Sequence, residues 1–147
     1  MNLPILYSFR RCPYAMRARM ALILASKDCE LREITLKNKP DEMLQISAKG
    51  TVPVLELPNK VLEESLDIIS WAMQSRPESV YTFSTKEKLM SESLIQLFDS
   101  KFKYHLDRYK YALRYEVNFS EHQEECKNIL EILDTKINPW PWINFSI

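Results

Sequence analysis

The stretch that decides the fold is LPILYSFRRCPYAMRARMALILASKDCELREITL, residues 3–36. It opens on a short apolar run, 3–9, which predicts a buried strand. Pro13 suits the first position of a helix, where its missing N–H costs no hydrogen bond, and small residues follow at helical spacing. A second run, 29–36, predicts another strand. A strand, a helix and a strand in this order predict a right-handed β-α-β unit with parallel strands.

The residues that follow extend this unit with a helix, a hairpin and another helix. The segment NKPDEMLQIS, 38–47, predicts a short helix that carries acidic residues in its first turn. Two strand-like runs, 52–57 and 60–64, flank a Pro-Asn turn and predict a β-hairpin. Ser65 is a suitable cap for the next helix. We therefore expect an α/β domain over 1–75, with a four-stranded mixed sheet and helices on both faces.

Beyond this domain the sequence pattern is helical only. A proline interrupts the pattern near the boundary, and we interpret 76–84 as a linker. Two helix starts carry capping-box pairs, and the final stretch, NPWPWINFSI, is apolar without a helical period. The segment 85–147 therefore predicts a partial all-α domain. The two capping-box pairs are Ser84 with Glu87 and Ser120 with Gln123.

The composition excludes several classes of partner. The 147-residue chain carries 20 basic and 20 acidic side chains, so its net charge is zero. We therefore expect neither a nucleic-acid nor a membrane partner, and we interpret the aromatic and basic run 101–115 as an amphipathic helix. No apolar stretch is long enough to span a bilayer, and the N-terminus does not have the pattern of a signal peptide. His105 and His122 have no cysteine at ligand spacing, so we expect no metal site.

The three cysteines are widely spaced and predict no disulfide framework, which suits a reducing cytosol. Cys12 differs from Cys29 and Cys126, which we interpret as ordinary thiols, because it directly precedes a predicted helix. The positive end of the helix dipole and the neighbouring arginines favour a thiolate at this position. A buried structural cysteine is the alternative, and this segment alone does not decide between the two.

Two further stretches could form a binding site with this cysteine. In TVPVL, Pro53 marks either an edge strand or a cis peptide bond. The cis form would turn the backbone of Val52 outward, toward an extended peptide-like ligand. In LEES, the N–H groups at the helix start and the Ser65 hydroxyl could hold a carboxylate, while Glu64 could hold an ammonium group. Plain helix capping by Ser65 is the alternative.

Together these motifs resemble the glutathione S-transferase superfamily, in particular its omega-like members of the glutaredoxin-like cysteine type. The segments CPYAMR, TVPVL and LEESLDII follow the order and spacing of that family's cysteine box, cis-proline strand and Glu-Ser helix start, and TLKNKPDEM is similar to an omega-class segment. The resemblance implies a thioredoxin-like N-terminal domain that binds glutathione as a co-substrate and holds no metal. It also implies a C-terminally truncated chain, because family members usually continue through further helices.

The resemblance assigns a role to each matching residue. Cys12 would be the catalytic thiol, which forms a mixed disulfide with glutathione. Val52, beside Pro53, would bind the cysteinyl backbone of glutathione, and Lys39 would bind its glycine carboxylate. Glu64 and Ser65 would bind the γ-glutamyl group, and Tyr14 would line the thiol pocket.

The cysteine box lacks the second cysteine of dithiol glutaredoxins. The resemblance therefore implies monothiol exchange between glutathione and a small disulfide. Two alternatives remain open. Tyr7 or Ser8 could activate glutathione for attack on an electrophile, as in other branches of the superfamily, or the chain could be a non-catalytic protein that binds partners. We further expect a cytoplasmic homodimer whose helical region opens more readily than its sheet domain.

Overall fold

The computed structural model describes residues 3–74 and 83–137. The chain divides into two compact units, Met1–Tyr81 and Thr82–Ile147, which we call the sheet unit and the helical unit. Two predicted segments lie largely or wholly outside the described residues: the linker 76–84 and the apolar stretch 138–147.

Within residues 3–74 the sheet unit forms four strands and three helices. The strand order across the sheet is β2-β1-β3-β4, with β1 parallel to β2 and the other two pairs antiparallel. The predicted four-stranded mixed sheet and its parallel β-α-β unit are therefore confirmed. Along the chain the elements are β1 Ile5–Ser8, α1 Pro13–Leu24, β2 Glu30–Glu33, α2 Asp41–Ile46, β3 Val54–Leu57, β4 Lys60–Leu62 and α3 Ser65–Met73.

Different helices cover the two faces of this sheet. On one face the paired residues Leu6 and Leu55 pack against α1 and α3. On the other face the paired residues Tyr7 and Val54 pack against Met43 of α2. Successive residues of a strand point to opposite faces, so the apolar residues of β1 and β3 serve both layers. Small residues let α1 approach the sheet closely, and its buried positions are Ala15, Ala18, Ala21 and Leu22.

Within residues 83–137 the helical unit contains helices only. At the start of its first helix the Ser84 N–H donates to Glu87 Oε2 at 2.7 Å, and the Glu87 N–H donates to Ser84 Oγ at 3.3 Å. The predicted capping box at this helix start is therefore confirmed. The elements are α4 Thr85–Leu97, a π-helical segment Phe98–Phe102, α5 Lys103–Lys110, α6 Ala112–Tyr115 and α7 Phe119–Ile137.

The start of α7 differs from the prediction. The helix begins at Phe119, so Ser120 lies inside its first turn and is not the cap. The Asn118 Oδ1 accepts a hydrogen bond from the Ser120 N–H at 3.0 Å, and it therefore satisfies one of the free donors of the helix. Asparagine and serine are similarly good caps, and their order along the chain does not decide between them.

Candidate functional site

The sheet unit contains a cavity of about 650 Å³. Its lining comes from the start of α1, the loop after β2, the loop before β3 and the turn into α3. All the residues that the sequence analysis assigned to a glutathione site lie on this lining, although they come from separate parts of the chain. They are Cys12, Tyr14, Lys39, Val52, Pro53, Glu64 and Ser65.

Cys12 lies immediately before α1, at the N-cap position of the helix. Its N–H donates to the Phe9 carbonyl at 3.0 Å, and its own carbonyl accepts from the Met16 N–H at 2.9 Å. Pro13 follows at the first helical position, where no N–H is needed. The first N–H groups of a helix, which have no partner within the helix, lie at this point. The half-buried thiol is therefore placed where a nucleophile is useful.

The Val52 carbonyl is the hydrogen-bond partner of the Cys12 thiol, with 3.6 Å between Sγ and the oxygen. The Val52–Pro53 peptide bond is cis, which decides between the two interpretations of this proline. Strand β3 begins only at Val54, so Val52 lies outside the strand, beside the sulfur. The thiol and the backbone segment expected to pair with a peptide-like ligand therefore border the same part of the cavity.

Ser65 is the first residue of α3 and does not cap it, so the prediction of a Ser65 cap is wrong. Glu64 occupies the N-cap position, and its side chain makes no capping hydrogen bond. The Ser65 hydroxyl accepts a hydrogen bond from Arg17 Nε at 2.8 Å, and the Arg17 guanidinium carbon lies 4.9 Å from the centre of the Tyr14 ring. Arg17 of α1 thus connects this helix to the start of α3.

Lys49 is a lining residue that the sequence analysis missed. Its Nζ forms an ion pair with Glu64 Oε1, and this hydrogen bond is the largest cause of the raised pKa of Lys49. The charges of Glu64, Glu63 and Asp67 raise the same pKa. Glu63 is fixed by the Ser47 hydroxyl, which donates to Glu63 Oε1 at 2.6 Å. The Glu64 end of the cavity is therefore a region of negative charge in which Lys49 supplies a positive charge.

Gly50, the single glycine of the chain, lines the cavity beside Lys39. Its φ angle is 58°, a left-handed conformation that glycine adopts without steric cost. A Cβ atom on this residue would lie 3.5 Å from Lys39 Nζ and 3.2 Å from Leu44 Cδ2. The distance to Lys39 is an ordinary contact, so the left-handed φ angle and the close approach to Leu44 are what favour glycine here.

Tyr7 and Ser8, the alternative hydroxyl groups, are buried in β1 and are not among the residues that line the cavity. The Tyr7 hydroxyl accepts a hydrogen bond from Arg32 Nη1 at 3.2 Å. The Ser8 hydroxyl accepts one from Arg19 Nη1 at 2.5 Å. Each hydroxyl is thus held by a guanidinium group, and neither lies on the wall that Cys12 shares with the other lining residues.

The remaining candidate residues are not among those that line this cavity. His105 and His122, which appeared isolated in the sequence, contact each other with 2.8 Å between their Nδ1 atoms. Across residues 3–74 and 83–137 no three metal-ligating side chains lie close enough together to hold an ion. Burial raises the pKa of Cys29 and that of Cys126. In the same part of the chain, no helix has the length and apolar character needed to cross a membrane.

Comparison with known protein sequences gives consistent matches. A family model described as the N-terminal domain of glutathione S-transferases matches residues 6–79. The chain is 33% identical over 95 residues to glutathione S-transferase omega-2 from Rattus norvegicus, and 32% identical over 98 residues to pyrimidodiazepine synthase from Drosophila melanogaster. Both matches cover 63% of this chain, but 38% and 40% of the two relatives. The chain thus spans about two fifths of the length of these relatives.

Comparison with solved structures supports the fold. The structure of glutathione transferase Omega 3C from Trametes versicolor matches with a TM-score of 0.80 and 18% identity, over 100% of this chain and 67% of that one. A tau-class glutathione S-transferase from mango, Mangifera indica, matches with a TM-score of 0.77 and 23% identity, over 91% of this chain and 62% of that one. At these identities the likeness concerns the fold.

Proposed function

The chain belongs to the glutathione S-transferase N-terminal domain family, and from this premise we propose that it is a glutathione-dependent thiol transferase with Cys12 as its nucleophile. The observation that carries the proposal is the position of the Cys12 thiol, at the N-terminus of α1 and on the lining of a cavity with charged groups at its other walls. A cysteine in such a position is suited to react as a thiolate.

In the proposed complex, glutathione lies along the cavity with its sulfur toward Cys12. The backbone of Val52, beside the cis bond to Pro53, pairs with the cysteinyl group, as extended ligands pair with backbone groups. Lys39 binds the glycine carboxylate. The remaining lining residues assigned to the ligand are Glu64 and Ser65, which bind the γ-glutamyl end, and Tyr14, which lines the thiol pocket.

The proposed reaction proceeds through two thiol–disulfide exchanges. The Cys12 thiolate attacks the glutathione sulfur of a small glutathionylated disulfide, and the Cys12–glutathione disulfide forms while the substrate leaves as a thiolate that takes up a proton. The thiolate of a second glutathione then attacks the bound glutathione sulfur. Glutathione disulfide leaves and the Cys12 thiolate is restored, so each cycle consumes one reduced glutathione, converts the substrate disulfide to a thiol and forms one glutathione disulfide. Cys29 and Cys126 do not line the cavity, which supports a monothiol cycle.

The two alternative functions have less support from the site. Conjugation of glutathione to an electrophile through Tyr7 or Ser8 would need a hydroxyl that is now buried and bound to an arginine to reach the cavity. A non-catalytic role in partner binding gives no reason for a half-buried cysteine at the helix start beside the Val52 carbonyl. The monothiol cycle uses both features.

Replacement of the nucleophile tests the proposal. Cys12→Ala should reduce the turnover of a small glutathionylated disulfide to the uncatalysed rate, because a methyl group cannot form the mixed disulfide. Cys29→Ala removes a thiol that does not line the cavity and should keep the activity. The measurement is the rate of glutathione disulfide formation. Activity that survives Cys12→Ala but is lost in Tyr7→Phe would overturn the thiol mechanism and favour the hydroxyl type.

We also propose that the chain forms a homodimer in the cytoplasm. The free thiols of Cys12, Cys29 and Cys126 suit a reducing compartment. Large apolar side chains are exposed in the helical unit, among them Leu89 and Leu113, and such surfaces often mark an interface between chains. Light scattering should give the mass of two chains at micromolar concentration, and a monomer at that concentration would contradict the proposal.

A further inference from the structure

The ion pair between Lys49 and Glu64 leads to an inference about ligand affinity that rests on the proposed glutathione binding. Glu64 is the carboxylate assigned to the α-ammonium group of the ligand, and its Oε1 already receives the ammonium group of Lys49. We propose that Lys49 is an internal competitor for this site, so that binding exchanges one ammonium group for another at Glu64. Lys49 is then a residue that sets affinity and ligand preference without contacting the reacting sulfur.

Both side chains of the ion pair reach solvent, and that of Glu64 is 62% exposed. The backbone of Glu64 is fixed at the start of α3, where its carbonyl accepts the Ile68 N–H at 3.1 Å. Lys49 lies in the loop before β3, and its side chain is 46% exposed. An exposed ion pair contributes little, and the flexible stem of lysine can turn into solvent. The ion pair can therefore open, and another ammonium group can take the place of Lys49 at Glu64.

The surrounding charges favour an ammonium group at this point. Glu63 and Asp67 add their negative charge to that of Glu64 around Lys49, as the raised pKa of Lys49 reflects. Glu63 cannot readily turn away, because the Ser47 hydroxyl holds its Oε1 at 2.6 Å. A ligand ammonium group can replace Lys49 without leaving these carboxylates uncompensated. A ligand without that ammonium group leaves the ion pair between Lys49 and Glu64 intact, so Lys49 does not compete with it.

The consequence for the proposed cycle concerns release of the product. When a γ-glutamyl group leaves Glu64, the Lys49 ammonium group can return at once, since it is tethered only 15 residues away in sequence. Such a competitor lowers the affinity for glutathione and for glutathione disulfide, which carries the same γ-glutamyl ends. A lower affinity favours the departure of one molecule and the entry of the next.

Calorimetric titration of single variants tests the inference, because two lysines on the same cavity should respond in opposite directions. Lys49→Met should bind reduced glutathione about two- to fivefold more tightly at low salt, since it removes an exposed competing ion pair. Lys39→Met should bind it more weakly, because a carboxylate contact is lost. Lys60→Met, at the exposed start of β4, removes the same charge away from the cavity lining and should leave the affinity unchanged.

A second ligand separates competition from a general charge effect. Glutaryl-cysteinyl-glycine keeps the carboxylate of the γ-glutamyl end but lacks its ammonium group, so Lys49→Met should give no gain in its affinity. Weaker binding of glutathione to Lys49→Met, or an equal gain for both ligands, would overturn the inference and leave the proposed function standing. If the unchanged protein binds neither ligand, the proposed function fails and the inference fails with it.

Discussion

The sheet unit and the helical unit differ in how their apolar residues are buried. In the sheet unit, residues of β1, β3, α1 and α3 form a cluster in which every member is at most 4% exposed. In residues 83–137 the buried side chains are confined to α7, and α4 contains none. The buried residues of α7 are His122, Cys126 and Ile129, at a helical spacing that faces α5.

This difference follows from the side chains that each unit places between its elements. In the sheet unit, alanines on α1 allow the helix to approach the sheet, and the leucines of the strands fill the layer between them. Both units leave some large apolar side chains in contact with solvent, such as Ile23 at 76% and Leu113 at 97% exposed, so the difference lies in the buried residues. Since stabilisation scales with the apolar area removed from water, the rigid support of the cavity comes from the sheet unit.

The largest expected difference between the two units is in hydrogen exchange. Amides of β1 and β3 should exchange on the order of a hundredfold more slowly than those of α4, because local opening is easier where few buried contacts must break. Mass spectrometry of the whole chain after timed labelling measures both regions in one sample. Equal or slower exchange in Thr85–Leu97 would show that the helical unit is as well supported as the sheet unit.

Two substitutions at left-handed residues, one in each unit, should have smaller effects, on the free energy of unfolding. Gly50 in the sheet unit and Glu116 in the helical unit both have left-handed φ angles, 58° and 53°, but one is a glycine and the other is not. Gly50→Ala should destabilise the protein by about 1–2 kcal/mol, since a side chain disfavours this conformation and its Cβ would meet Leu44. Glu116→Gly, at the end of α6, should stabilise by up to about 1 kcal/mol.

Urea unfolding of the two variants measures these effects, and glutathione titration adds a second readout. Gly50→Ala should also weaken glutathione binding, because relief of the strained φ angle would move the lining residues Thr51 and Val52 that follow it. Glu116→Gly lies in the other unit and should leave the affinity unchanged. A stabilising Gly50→Ala would mean that the loop before β3 does not need its left-handed residue.

Much of the sheet unit was predictable because its signals are local. A proline after a cysteine marked the start of α1, and apolar runs marked the strands. The mixed sheet then followed from the order of the elements and from the handedness of β-α-β units. The residues proposed for the cavity also carry local signals, such as the X–Pro bond at Pro53 and the helix start at Ser65. The prediction worked where one segment determines its own conformation.

The contacts that the sequence did not predict depend on how separate segments meet. Lys49 lies in a loop whose path brings it to Glu64, and no spacing rule connects the two. His105 and His122 meet because α5 packs against α7 in one particular register. Arg17 had two faces of α1 available to it, and the position of Ser65 decides between them. Side-chain partners of this kind follow from tertiary packing and not from periodicity.

The smallest expected effect is a loss of stability in mild acid, and it should be confined to the helical unit. Both histidines of the chain lie there. Burial and the charge of His122 lower the pKa of His105 below its ordinary value of 6.5, and Lys101 acts in the same direction, while Glu125 and Glu121 oppose it. Between the lowered pKa and 6.5 the unfolded chain binds more protons than the folded one, so stability rises with pH through this window and falls as the solution becomes acidic.

The effect of acid on stability can be assigned to His105 by choosing a pH range in which the Glu125 carboxylate does not titrate. The pKa of Glu125 is lowered by its hydrogen bond to Lys101, so the stability that this carboxylate contributes is lost only below its ordinary value of 4.5. Measurements between pH 5 and 6.5 therefore report mainly on His105. The melting temperature should fall by a few degrees at most across this range, with increased hydrogen exchange in α5 and α7 but not in β1 and β3.

His105→Gln removes the titrating group and should flatten the dependence of the melting temperature on pH. If the dependence persists in His105→Gln, or if acid loosens the sheet unit equally, the histidine contact is not the cause.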